Sequence, residues 1–119
     1  MDAGRFGASV AVAGGGTIAL VGAPMSDSGR GQAYTFYWDI GDGWYRFQRM
    51  TRTGVPAGAR FGTSVALSNN GSNGLVGAPG ASGGDGAAYP FSHFGLESPY
   101  WIDGTAIASP RVAATSAPP

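Results

Sequence analysis

An all-β chain made of two copies of a four-stranded antiparallel meander is what this sequence predicts, and three observations predict it. The 22 glycines and 8 prolines among 119 residues oppose helix interiors and supply tight turns. Apolar residues recur with a period of two in several short runs, the spacing that gives a strand one apolar face. Finally, "RFGASVAVAGGGTIALVGAP" at 5–24 returns as "RFGTSVALSNNGSNGLVGAP" at 60–79. The offset of 55 holds without a gap to Phe36 and Phe91, with 17 of 32 positions identical. Self-similarity at such a period marks a unit that cannot bury its apolar face alone and must stack on a neighbour.

The elements follow in order. Phe6, Ala8, Val10 and Val12 alternate with Gly7, Ser9, Ala11 and Ala13, which predicts a first strand from Phe6. "GGG" at 14–16 turns the chain. "TIALVG" at 17–22 is a nearly continuous apolar run, as in a strand buried on both faces, and Pro24 ends it. Turn residues fill "MSDSGRG" at 25–31, and "QAYTFYW" at 32–38 predicts a third strand from its β-branched and aromatic content. "DIGDG" at 39–43 predicts a hairpin turn, and "WYRFQRM" at 44–50 alternates as the fourth strand. In the second copy, strands are expected at 60–68, 75–77 and 87–93, with a weaker one around 100–104. "TRTGVPAGA" at 51–59 links the copies. The division is therefore 1–55, 56–105 and an Ala/Ser/Pro-rich tail at 106–119, read as flexible or partner-bound because it has no period.

Composition removes several function classes. Seven Arg and seven Asp or Glu balance to zero net charge, and the arginines are scattered, so there is no basic footprint for nucleic acid. Lys and Cys are absent, which excludes Schiff-base amines, thiol nucleophiles, disulfides and zinc-thiolate sites. His93 is the single histidine and cannot supply a multi-histidine metal centre. The opening "MDAGRFG" lacks the pattern of a signal peptide, and no run approaches the ~20 apolar residues of a membrane helix. No membrane-spanning segment is expected.

The paired motifs "RFGASVA…LVGAP…GQAYTF…W" and "RFGTSVA…LVGAP…GAAYPF" resemble the FG-GAP repeat of integrin α subunits, many bacterial surface proteins and some lectins. The resemblance spans residues 4 to about 103. It implies that each unit is a four-stranded β-propeller blade, and it carries an expectation of an extracellular or cell-surface setting, although the sequence itself leaves the compartment open. Several integrin blades hold calcium on an Asp-rich loop between the first two strands. Here the matching stretches, "AGGGTIA" at 13–19 and "SNNGSNG" at 68–74, hold no carboxylate, and calcium sites rely on several carboxylate oxygens. Neither calcium nor any other cofactor is therefore expected.

Propellers close with ~4–8 blades. Two blades cannot, so the faces carrying Phe6, Val10, Leu20, Val21, Tyr34, Phe36 and their repeat partners are expected to need cover. Three sources of cover are open: the chain is an excerpt of a longer propeller, further copies close the ring, for instance a trimer making six blades, or subunits of a larger complex dock on it. The expected function is non-enzymatic: a β-propeller module for protein–protein interaction or assembly. The alternative is a carbohydrate-binding lectin with sites between blades in an oligomeric propeller.

Candidate binding residues are drawn from loops and aromatics. Asp27, Arg30 and Asp85 lie in the loops between second and third strands, on a face suited to ligands. Trp38, Trp44, Tyr45, Tyr100 and Trp101 sit near the outer strands, where they could stack on sugar rings or a partner, or simply pack between blades. Asp39 and Asp42 read as turn residues rather than a cation loop. His93 is a further candidate, but with Asp85 and Ser82 it makes no catalytic triad, because no nucleophile motif such as G-x-S-x-G accompanies it.

Overall fold

The computed structural model describes residues 4–50, 55–81, 84–92 and 101–108. It contains two antiparallel sheets with consecutive strands as neighbours. The first is β1 (Ser9–Val12), β2 (Ile18–Ala23), β3 (Gln32–Asp39) and β4 (Gly43–Met50). The second repeats the order with β5 (Ser64–Leu67), β6 (Asn73–Ala78), β7 (Ala87–Ser92) and β8 (Ile102–Asp103), while a short β9 (Ile107–Ala108) also pairs with β7. A four-residue helical turn, α1 (Ser26–Gly29), joins β2 to β3 and contains left-handed Asp27 and Ser28. Two four-stranded meanders are thus present where the repeat required them.

The first strand of each copy starts later than the alternation predicts. Arg5 and Arg60 have φ of 61° and 60°, and Gly7 and Gly62 have φ of 93° and 100°. The "RFG" of both copies is therefore a left-handed turn that glycine adopts without steric cost, and pairing begins only at Ser9 and Ser64. The sixth strand, conversely, runs two residues ahead of the expected Leu75. The fourth strand of the second copy is broken into β8 and β9. Pro90 accepts a 2.8 Å hydrogen bond from the Gly104 amide but has no N–H to return, so the outer ladder lapses there. β9 also draws Ile107 and Ala108, within the segment expected to be an unpatterned tail, onto Ala88 and Ala87. The remainder of that tail lies outside the described residues.

Side chains alternate across each sheet. On the first sheet Val10, Val12, Ala19, Val21, Tyr34 and Phe36 share one face, here called the front, and Ser9, Leu20, Gly22, Ala33, Thr35 and Met50 share the rear, as the strand register requires. The core forms where the rear of the first sheet meets the front of the second. Leu20, Ala33 and Met50 pack there with Phe61, Val76, Tyr89, Phe91 and Trp101. Leu20 was expected among the faces left open; it is fully buried, because it belongs to the rear face that this joint covers.

Backbone and side-chain hydrogen bonds fasten the same joint. Ser9 Oγ donates to Gly62 O at 2.9 Å, and the Gly14 amide donates to Asn69 O at 2.8 Å. The Arg60 and Phe61 amides donate to Gly29 O and Arg30 O at 2.9 and 3.0 Å. Gly22 lies against the Gly62 carbonyl so closely that a Cβ there would collide with backbone. Glycine at that position is a packing requirement.

Candidate functional site

Three surfaces gather the chemistry: the open front of the first sheet, the hairpin at its outer corner, and the loops between second and third strands. The front is an apolar groove of about 330 Å³ lined by Phe6, Val10, Val12, Ala19, Val21, Phe36 and Trp44. Phe6 packs edge-on against Phe36 at 5.9 Å and tilted against Tyr34 at 5.6 Å. The same triad recurs in the second sheet, where Phe61 meets Tyr89 at 5.5 Å and Phe91 at 6.0 Å. Identical rings are assembled identically, yet Phe61 is 1% exposed and Phe6 is 59% exposed. Only the presence of a sheet in front of Phe61 separates the two.

The β3–β4 hairpin carries the exposed aromatics. Trp38 and Trp44 are cross-strand partners whose rings meet at 5.5 Å and 67°, an edge-to-face arrangement. Tyr37 and Tyr45 make the equivalent pair on the other face at 6.3 Å. Trp38, Trp44 and Tyr45 remain partly open to solvent, and Ile40 at the tip is 95% exposed. The tip itself is built by Asp39, whose Oδ1 accepts from the Gly41 amide at 3.3 Å, as turn chemistry predicts. Burial pushes the Tyr37 hydroxyl above its ordinary 10.0, hydrogen bonding with Trp101 works against that, and the nearby Tyr45 adds to it.

The loop candidates divide. Asp27 and Arg30 meet each other, Arg30 Nε lying 3.2 Å from Asp27 Oδ2 in an exposed pair. Arg30 Nη1 also donates to Val55 O at 2.7 Å, so its guanidinium holds the segment that links the two sheets. Asp85 stands at the corresponding place in the second copy, exposed, just before β7. Trp101 is buried in the core, and its backbone is bracketed by Gln48: the Trp101 amide donates to Gln48 Oε1 at 2.8 Å and Gln48 Nε2 donates to Trp101 O at 3.3 Å. Its ring packs between the sheets and is not presented to solvent. His93 and Tyr100 lie outside the described residues.

Trp38 and Trp44 thus meet on one face of the hairpin, and Tyr45 lies on the other beside Tyr37, which also reaches Trp101. Asp27 and Arg30 are brought together, and Asp85 lies in the loop before β7. Sequence reasoning passed over two contributors. Val12 completes the front groove, and Gln48 ties the first sheet's outer strand to Trp101. The alternation of β1 signals the first; no local pattern signals a bond spanning 53 residues. Among the described residues no helix is long and apolar enough to cross a membrane.

Such a pair of stacked four-stranded sheets, with phenylalanine–glycine turns leading into each, defines a β-propeller type of repeat module. The FG-GAP repeat family profile matches residues 44–91, so that span is similar to this repeat unit. The match takes in the outer strand β4 of the first sheet and β5, β6 and β7 of the second. A search of curated proteins returned no match.

Proposed function

We propose that the chain is a non-catalytic β-propeller module whose work is binding, with both 55-residue copies acting as blades and protein partners recognised at the β3–β4 hairpin. The observation that carries this reading is a hairpin that presents exposed aromatics on both faces, Trp38 and Trp44 on one and Tyr45 on the other, behind the fully projecting Ile40 at its tip. Aromatic residues are enriched at protein recognition surfaces, and a hairpin held by cross-strand ring pairs presents them at low entropic cost. Purification of the tagged chain from its source cells tests it, with the Trp38→Ser/Ile40→Ser/Tyr45→Ser variant alongside. A protein recovered in stoichiometric amount by the native chain and lost by the variant supports the reading; equal recovery by both overturns it.

A second reading, a carbohydrate-binding lectin, is favoured by the edge-to-face Trp38–Trp44 pair beside the carboxylates of Asp39 and Asp42, since an indole face next to polar acceptors suits a sugar ring. Glycan-array binding that disappears in Trp44→Ala would replace the first reading with this one.

A further inference from the structure

We infer that the open front of the first sheet is the receptor for the rear of the second sheet of another copy of this chain, so that copies join head to tail. The inference rests on the blade reading above and names the partner of one of its faces. Four observations carry it.

The joint inside the chain is the template. There the rear of one sheet, with Leu20 and Ala33, covers the front of the next, with Phe61, Val76 and Phe91. The 55-residue offset places Leu75 and Ala88 on the rear of the second sheet where Leu20 and Ala33 lie on the first, and β5–β6–β7 keep the register of β1–β2–β3. Leu20 is 0% exposed and Leu75 is 38% exposed. One uncovered rear face and one uncovered front face are thus present on the same molecule, each the equivalent of a face already seen docked.

The receiving backbone is also preset. The turn at Arg5 and Gly7 has nearly the same φ angles as the turn at Arg60 and Gly62, although only the latter is docked. On the opposite surface Ser64 pairs with Gly77 as Ser9 pairs with Gly22. Ser64 Oγ is therefore placed to donate to Gly7 O of the next copy, and Gly77 to pass beneath it.

Charge separates this joint from the internal one. Inside the chain the Arg60 and Phe61 amides bond to the Gly29 and Arg30 carbonyls, so the matching positions of this joint hold two arginines, with the Arg30 side chain turned to Asp27 and the Val55 carbonyl. Between copies the equivalent residues are Arg5 and Asp85, a cation beside an anion. Arg30 also clamps the linker carbonyl of Val55, whereas Asp85, which occupies its place, has no donor for such a carbonyl. A joint between separate molecules has no linker to clamp. A contact of this heterologous kind generates a ring or an open filament according to its rotation.

Sedimentation equilibrium on the 119-residue chain is the test. The native chain is expected to give a multiple of 12.0 kDa. Val10→Asp, on the front, and Leu75→Asp, on the rear, are each expected to be monomeric with unchanged β-sheet circular dichroism. Mixed together they should form a species of twice the chain mass, because one retains a good rear and the other a good front. Arg5→Asp should weaken joining at least about tenfold at low salt, and adding Asp85→Arg should restore it. A native chain that stays a folded monomer at its highest soluble concentration overturns the inference, and so does a Leu75→Asp variant that assembles like the native chain, which would mean front-to-front pairing. Partner recovery is read through Trp38, Ile40 and Tyr45, none of which lines the front groove, so the two readings fail separately.

Discussion

The two sheets are nearly the same object in different company. Phe6, Tyr34 and Phe36 reproduce the ring triad of Phe61, Tyr89 and Phe91, and the flanking turns have nearly equal φ angles. One triad is core and the other is surface. Local sequence therefore builds each sheet, but its energetic role is set by what stacks against it. Contributions to stability should differ widely between residues that a sequence comparison scores as equivalent.

The largest expected contrast is Phe61→Ala against Phe6→Ala. Emptying the Phe61 site should cost about 3–5 kcal/mol, whereas Phe6→Ala, measured in dilute monomer, should stay within about 0.5 kcal/mol. Chemical denaturation of both variants checks it, and equal losses would break the comparison. Gly22→Ala against Gly77→Ala comes next. A Cβ on Gly22 meets the Gly62 backbone, while one on Gly77 meets mainly the movable Ser64 hydroxyl. The first should lose about 1–3 kcal/mol, in the range of overpacked cores, and the second should keep native thermal stability.

A smaller effect belongs to the joint's edge. Tyr37 is held neutral in the folded state, with its pKa above the unfolded value of 10.0. The folded state therefore binds the proton more tightly, and the associated stability is complete below pH 10 and lost as pH rises through the folded value. Tyr37→Phe should flatten the alkaline limb of a stability–pH profile and leave the neutral region unchanged. Least of all, Asp27→Asn should shift stability by no more than about 0.5 kcal/mol, since the Asp27–Arg30 pair is exposed. A larger loss would mean that the linker clamp of Arg30 depends on its carboxylate neighbour.

Much of this architecture was legible in advance because the signals are local. Alternation in β1 and β5, the Asp-Gly turn before β4 and the exact spacing of the repeat all act within a few residues or repeat verbatim. The "RFG" turns were misplaced as strand because Phe6 fits the alternation, while the left-handed angle at Arg5 leaves no mark in composition. The break opposite Pro90 depends on which side of β7 its missing N–H faces, which only pairing decides. Trp38, Trp44 and Tyr45 could be grouped from their positions either side of a hairpin. That Trp101 would be buried against Gln48 could not be, since the two meet across the joint.

The span 44–91, matched as one repeat, straddles two sheets, taking the last strand of one and three strands of the next. A unit so bounded starts just past one hairpin turn and ends within β7, so neither sheet is complete without strands supplied by the adjoining stretch of chain.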